Sequence, residues 1–112
     1  MKMKLITAVM ALALAAPLLA TTPARAQDAA MQANMDVHKK MMDGMAGMKM
    51  SGDADKDFAM MMIPHHQGAI DMAEIELKYG KDPALRKMAE DIISAQKKEI
   101  EEFKAWQQKH GM

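Results

Sequence analysis

An all-α fold is predicted by three features of this 112-residue sequence. Apolar residues recur at the three- and four-residue spacing of amphipathic helices, and the two-residue alternation of a strand does not appear. Aspartate, proline and glycine stand where helices are expected to begin and end. The sequence contains no cysteine, so neither disulfides nor thiolate metal sites can stabilise it. We expect a methionine-rich helix followed by a long antiparallel helical hairpin.

The first 26 residues have the composition of a secretory signal peptide. Two lysines precede an apolar run from Leu5 to Ala16, which is shorter than the roughly 20 residues that span a membrane. Ala24 and Ala26 then form the small-x-small pattern of a cleavage site. We expect residues 1–26 to be removed and the remainder to be periplasmic or secreted, with no stable membrane anchor.

Helix boundaries in the remainder are marked by capping residues. The expected helices run from about residue 29 to 43, from about 56 to 79 and from about 83 to 109. Asp53 or Asp55 can cap the second helix and Asp82 the third, because a carboxylate accepts hydrogen bonds from the free N–H groups of a first turn. Gly80 is expected to end the second helix in the left-handed conformation typical of such glycines. The stretch from Gly44 to Gly52 is expected to be a loose linker.

The second and third helices should form the hairpin, because the turn between them is very short. Each carries an apolar stripe, and the two stripes are expected to cover each other. The stripes comprise Phe58, Met62, Ala69, Ile70, Ala73 and Leu77, and Leu85, Met88, Ala89, Ile92, Ile93, Ile100, Phe103 and Trp106. The first helix or a second copy of the protein must cover what remains, so a homodimer is one expected assembly. The chain thus divides into a signal peptide (1–26), a methionine-rich helix with a flexible loop (27–54) and the hairpin (55–112).

Methionine is the most unusual part of the composition. Of the 16 methionines, thirteen follow residue 26, where only two leucines occur. Helical cores ordinarily prefer leucine, because flexible methionine specifies packing less well. Five residues at spacings of 4, 3, 4 and 3 fall on one face of the first helix, and the linker extends the series. These residues are Met31, Met35, His38, Met42 and Met45, followed by Met48 and Met50.

Two interpretations of this face compete. A stripe packed on the hairpin is the ordinary one, but packing alone does not explain why leucine and isoleucine are absent between Gln27 and Lys56. Thioether sulfur is soft and suits Cu(I), and by the same chemistry Ag(I). Methionine has no proton to lose, so its ligation survives acid pH. We therefore expect a copper site with the ligands Met31, Met35, His38, Met42, Met45 and Met48.

A second cluster surrounds the two adjacent histidines. On a helical wheel, Met61, His65 and Met72 lie within about 40° of one another, which makes them a candidate ligand set. His66 points about 100° away from His65, towards the core. For His66, metal ligation and a buried, hydrogen-bonded histidine are both open interpretations.

Two polar residues interrupt the apolar stripe of the third helix, Gln96 and Glu99. The expected register of the hairpin places Gln96 opposite His66. Because a buried polar group needs a partner, we expect Gln96 or Glu99 to orient His65 or His66 from behind, as the outer groups of metal sites do.

The run Met-Ile-Pro-His-His-Gln-Gly-Ala-Ile-Asp-Met-Ala, from Met62 to Ala73, resembles the signature of the domain of unknown function family numbered 305. The resemblance covers about residues 55–107. In the third helix it rests on Ala95-Gln96, Glu99-Ile100 and Trp106. It implies an exported, ferritin-like helical bundle, some members of which bind copper, with His65, His66 and Met72 as motif residues. The Glu-x-x-His pairs of di-iron sites do not occur in this sequence.

The expected function is binding of Cu(I), to sequester or carry it in the periplasm and so contribute to copper tolerance. No enzymatic activity is expected, since the sequence shows no nucleophile–base constellation and no phosphate-binding loop. Nucleic acid is excluded as a partner by the lack of a basic patch. The alternative is a non-enzymatic interaction module with a methionine-rich surface, and a third is an antioxidant role of oxidised and repaired methionines. Expected partners are the metal ion, a copper-handling protein and a second copy.

Overall fold

The computed structural model describes residues 23–112, which form three α-helices and no strand. The helices are α1 (Pro23–Ala46), α2 (Ala54–Tyr79) and α3 (Pro83–Lys109). The all-α prediction is confirmed for these residues. The apolar run of the proposed signal peptide lies outside the described residues, and α1 passes through the proposed cleavage position after Ala26.

Both hairpin helices begin at aspartates that the sequence marks. The Asp53 carboxylate accepts hydrogen bonds from the backbone N–H groups of Asp55 at 3.0 Å and Lys56 at 3.1 Å. The Asp82 carboxylate accepts from the N–H of Leu85 at 2.9 Å. Each bond satisfies a first-turn donor that has no partner inside its own helix. Of the two candidates for the cap of α2, Asp53 is therefore the one used.

Gly80 ends α2 in a different way from the one predicted. Its φ is −72°, so it does not adopt the left-handed conformation. Its N–H donates to the carbonyl oxygen of Glu76 at 2.7 Å, and a Cβ at Gly80 would lie only 2.6 Å from that oxygen. The turn therefore requires the absence of a side chain, and the conformational freedom of glycine is not used.

Helix α2 is the central element of the described structure. It packs antiparallel against α3 on one side and against α1 on another, whereas α1 and α3 do not contact each other within residues 23–112. The predicted hairpin with a preceding methionine-rich helix is thus the observed arrangement. Every tertiary contact of α1 depends on α2.

The seam between α1 and α2 is tightly packed at Gly68, which is buried. A Cβ on Gly68 would lie 2.8 Å from Sδ of Met41, so the thioether occupies the space that a side chain would fill. On the same seam, Nζ of Lys40 lies 3.6 Å from Oδ2 of Asp71. The close approach of the two helices depends on glycine at this one position.

The linker between α1 and α2 is shorter than predicted, and its last residues are hydrogen-bonded to the first turn of α2. Helix α1 continues through Gly44, which leaves only residues 47–53 between the helices. Oδ1 of Asp57 accepts from the N–H and the hydroxyl of Ser51, at 2.8 and 2.7 Å, and Oδ2 accepts from the N–H of Gly52 at 3.1 Å. The backbone bond from Ser51 is the largest cause of a lowered pKa of Asp57. The linker therefore begins later than expected, after Ala46, and its last residues are hydrogen-bonded to Asp57.

The hairpin buries a thin core and leaves one face uncovered. The buried apolar residues are Ala59, Ile70, Ala73, Ala89 and Ile100. Leu85 and Met88 are 53% and 56% exposed, and Phe58 and Ile92 are exposed as well. The two stripes were predicted to cover each other, with Met88 mainly in the core. This prediction is wrong for these four residues, which remain exposed. Two helices bury only the seam between them, and α1 packs on another side of α2.

Candidate functional site

The methionine face of α1 turns away from α2. Met31 is 61% exposed, Met35 60% and Met42 50%, and His38 is exposed as well. The side of α1 that packs on α2 instead carries residues such as Met41, which is half-buried. The packing interpretation of the stripe therefore does not hold for its exposed members in this structure.

Met45 and Met48 are placed differently from the rest of the predicted set. Both are half-buried. Met45 lies in the last turn of α1, and Met48 follows in the linker. The N–H of Met48 donates to the carbonyl oxygen of Met45 at 3.2 Å, so the chain folds back at this point. The outward face consists of Met31, Met35, His38 and Met42, and Met45 and Met48 lie beside it.

Part of the outward face forms a shallow recess of about 560 Å³. Its walls are Met31, Asn34, Met35, His38 and Lys39. Side chains three or four positions apart on a helix have Cβ atoms about 5–6 Å from each other, so neighbouring thioethers and the imidazole can approach one ion. A set of thioether and imidazole donors fits the coordination chemistry of Cu(I).

Hard-donor metal sites are not formed by this part of the chain. Within residues 23–112, no three histidine, aspartate or glutamate side chains are grouped closely enough to hold a metal ion. The case for a metal therefore depends on the thioethers of α1 and on their neighbour His38.

The second predicted ligand set is only partly brought together. Met61 and His65 lie one turn apart on α2, where His65 is exposed and Met61 half-buried. Met72 lies seven residues beyond His65, which is about 10 Å along a helix. Its side chain lines a groove with Leu85 and Met88. A helical wheel records angles and omits this rise, so the common direction of the three residues does not bring Met72 close to the other two.

His66 lies between α2 and α3 and is 7% exposed. Its Nε2 contacts Oε2 of Glu99, and its ring meets the ring of Phe103 edge-on, with centroids 5.3 Å apart. Glu99 thus occupies the position predicted for it or for Gln96, which is half-buried one turn away. His66 is a buried, partnered histidine here, and it could ligate a metal only through Nδ1 or by leaving Glu99.

A groove at the open end of the hairpin was not predicted from the sequence. Its volume is about 690 Å³, and it is lined by Asp55, Phe58, Ala59, Met62, His66, Glu99, Glu102, Phe103 and Trp106. These residues recur at three- and four-residue spacings on both helices, which is a signal the sequence contains. Their juxtaposition became visible only with the pairing of α2 and α3. Towards the turn, a second and more apolar groove continues the uncovered face.

Comparison with known protein sequences assigns the chain to a family. The sequence profile of a domain of unknown function, DUF305, matches residues 13–107. The chain belongs to the DUF305 family. An uncharacterized protein of Acanthamoeba polyphaga mimivirus is 43% identical to it over 49 residues, which are 44% of this chain and 32% of the viral protein. The match therefore spans about a third of the length of the viral protein.

In this DUF305 protein the two histidines of the family-like run have opposite environments. His65 faces solvent, and His66 is buried against Glu99. No described helix, α1 to α3, is long and apolar enough to cross a membrane.

Proposed function

We propose that this DUF305 protein binds Cu(I) outside the cytoplasm and sequesters or carries it, without catalysing a reaction. The observation that supports this most is the exposed methionine face of α1, formed by Met31, Met35 and Met42 with His38. Exposed positions of surface helices are ordinarily polar or charged. Three apolar thioethers there gain little from burial, so a role as soft ligands gives them a function that packing does not.

The chemistry of the face supports Cu(I) over a harder cation. Thioethers are weak ligands individually, so two or three must meet at one ion, and the spacing on α1 provides such pairs. The imidazole of His38 adds a stronger donor in the same recess. Ag(I) is expected to bind in the same way. Met45 and Met48, which are half-buried, are proposed as further ligands.

On α2, Met61 and His65 are proposed as a second, weaker site. His65 is exposed and one turn from Met61. Met72 and His66 are less suited to join them, since Met72 lies two turns further on and Nε2 of His66 faces Glu99. For Gln96 and Glu99 we propose an indirect role, in which Glu99 holds His66 and thereby keeps the exposed neighbour His65 in place.

Export is part of the proposal and is supported by the first 26 residues. Two lysines, an apolar run and a small-x-small site follow one another there. A thioether site suits an oxidising compartment, since methionine cannot form disulfides. A sulfur-rich protein without cysteine is consistent with that destination.

The test begins with the full chain expressed in a Gram-negative host and recovered from the periplasm, with its mass measured. Cu(I) is then titrated against a competing chelator. Replacing Met31, Met35 and Met42 by leucine keeps the apolar volume and removes sulfur, and we expect Cu(I) affinity to fall by about tenfold or more, which corresponds to about 1.4 kcal/mol. The matched control is leucine at Met62, Met88 and Met112, which removes as many thioethers elsewhere.

Two results would contradict the proposal. The first is a wild-type protein that retains no copper against the chelator. The second is equal loss of affinity in the two triple variants, which would assign binding to methionine content and not to the α1 face. A precursor mass in the periplasm, or retention in the cytoplasm, would contradict the export part alone.

A protein-interaction module is the second candidate, and the uncovered face of the hairpin favours it. Phe58, Met72, Leu85, Met88 and Ile92 are all exposed on α2 and α3. Contiguous exposed apolar surface commonly marks a site of association, and two hairpins facing each other would form a four-helix bundle. Sedimentation of the copper-free protein distinguishes the candidates, because a dimer disrupted by Leu85→Lys but not by the α1 leucine variant supports the interaction role.

A further inference from the structure

The groove at the open end of the hairpin combines aromatic walls with acidic groups. Phe58 and Phe103 meet edge-on, with centroids 5.6 Å apart and planes at 72°. Their ring faces therefore point in different directions around the groove. Trp106 adds an indole, whose ring is stacked on that of His110 at 3.9 Å and 15°. This stacking fixes the indole beside the groove, and His110 itself is not among the lining residues.

Three carboxylates reach the same groove from two helices. Asp55 comes from the first turn of α2, and Glu99 and Glu102 come from α3. No lysine or arginine is among the lining residues. The cation nearest to Glu102 is Lys98, at 3.8 Å and one turn away on an exposed position. Carboxylates beside apolar walls concentrate negative potential in the groove.

We propose that this groove binds an organic cation, with an ammonium head against the aromatic rings and between the carboxylates. A cation is attracted to the face of an aromatic ring, and the attraction is stronger where the site excludes water. The groove volume of about 690 Å³ is within the range of small-molecule sites. The groove contains none of the outward methionines of α1, so this activity is separate from the proposed copper site.

The acidic end of the hairpin suits such a ligand better than it suits a second copy of the chain. A partner hairpin laid on this end would cover Asp55, Glu99 and Glu102 with apolar surface or with the same three acids. Glu99 contacts His66 and Glu102 lies 3.8 Å from Lys98, so the cost of covering a charge without a partner would fall mainly on Asp55 and on the exposed parts of the two glutamates. The turn end is different, because Leu85, Met88 and Ile92 line its groove with Glu76 as the single charged residue.

Choline is the first probe, and its neutral isostere 3,3-dimethylbutan-1-ol is the control ligand. Trp106 is the only tryptophan in the sequence, so intrinsic fluorescence reports on the groove directly. We expect a saturable change with choline and affinity about tenfold weaker for the neutral isostere, in line with the strength of a cation–π contact. Spermidine forms a second arm, which tells whether primary ammonium groups are accepted as well as a quaternary one.

Variants locate the binding and separate it from long-range charge. Asp55→Asn with Glu102→Gln is expected to weaken choline binding by about tenfold. The matched control is Glu90→Gln with Glu101→Gln, which removes the same charge from exposed positions that do not line the groove. Phe58→Leu should weaken binding in the same way, since Phe58 is exposed and its replacement leaves the core intact. Circular dichroism verifies that each variant is folded.

The inference is overturned by any of four results. These are no saturable change with either ammonium probe, equal affinity for choline and its neutral isostere, equal loss in the control variant, or a stable dimer whose formation protects Trp106. The α1 leucine variant should bind choline as the wild type does. Failure of the copper proposal would leave this result unchanged.

Discussion

The outward face of α1 and the seam between α2 and α3 each contain a histidine among apolar side chains, and the two surroundings differ in every other respect. His38 is exposed beside thioethers that face solvent. His66 is buried, is partnered by Glu99 and lies edge-on to Phe103. Within residues 23–112, no buried side-chain nitrogen or oxygen lacks a hydrogen-bond partner. Similar residues thus pack between helices in one region, while in the other they face solvent.

The largest difference is expected between the two adjacent histidines. His66→Ala should lower the free energy of unfolding by about 2–4 kcal/mol, because it empties a site between two helices. Most of the loss comes from the buried ring, since Glu99 is half-exposed and water can replace its contact with His66. His65→Ala should change stability by less than about 0.5 kcal/mol. Urea unfolding followed by circular dichroism measures both, and an equal effect at the two positions would contradict the assignment.

Two adjacent methionines test the orientation of α1. Met41 fills the space above Gly68, so Met41→Ala should cost about 1–2 kcal/mol. Met42 faces solvent, and Met42→Ala should cost less than about 0.5 kcal/mol. Thermal unfolding of the two variants, compared at one temperature, shows which side of α1 is packed. A larger loss at Met42 would mean that α1 is rotated relative to the structure described here.

Two glycines separate helix propensity from contact between helices. Alanine gains about 1 kcal/mol over glycine inside a helix, and Gly44→Ala should keep that gain, because a Cβ there has no neighbour within 4 Å. Gly68→Ala must displace the thioether of Met41, so we expect the gain to be cancelled. The measured quantity is the difference in unfolding free energy between the two variants. Equal stabilisation at both positions would show that the α1–α2 seam can accommodate a methyl group at Gly68 without loss.

The smallest expected effect is a pH dependence of the linker. Because hydrogen bonds from Ser51 and Gly52 lower the pKa of Asp57 below its ordinary value of 3.8, they stabilise the fold above that pH. This contribution is lost as the pH falls through the lower pKa of the folded state. Hydrogen exchange of the Ser51 and Gly52 amides should therefore accelerate, relative to the rest of the linker, on acidification. Asp57→Asn is the control, and its linker amides should show no such additional change.

Local patterns in the sequence were sufficient for the helices and their aspartate caps, whereas for His66 they left burial and metal ligation both open. Each depends on residues within one or two turns, or on the register of a hairpin whose turn is very short. The expected register placed Gln96 opposite His66 and left Glu99 as an alternative partner, and the structure selects Glu99.

The sequence was insufficient wherever a distant element decides the outcome. Helix α1 carries apolar residues on two sides, and the side that packs is the one whose Met41 lies against Gly68 of α2. Whether Leu85 and Met88 are covered depends on how many helices surround the hairpin, which periodicity does not record. The acidic and aromatic groove joins residues of α2 and α3 that are about 40 positions apart, so no local motif describes it.

Among the described helices, α1 contacts only α2. Helix α1 could therefore be lengthened without disturbing the hairpin. Ala30 and Asn34, in the first half of α1, adjoin Tyr79 and Gly80 at the turn of the hairpin. Further turns added before Ala30 would project beyond the hairpin and meet no other described element. The number of methionine-bearing turns could therefore be altered by design while the same hairpin is kept.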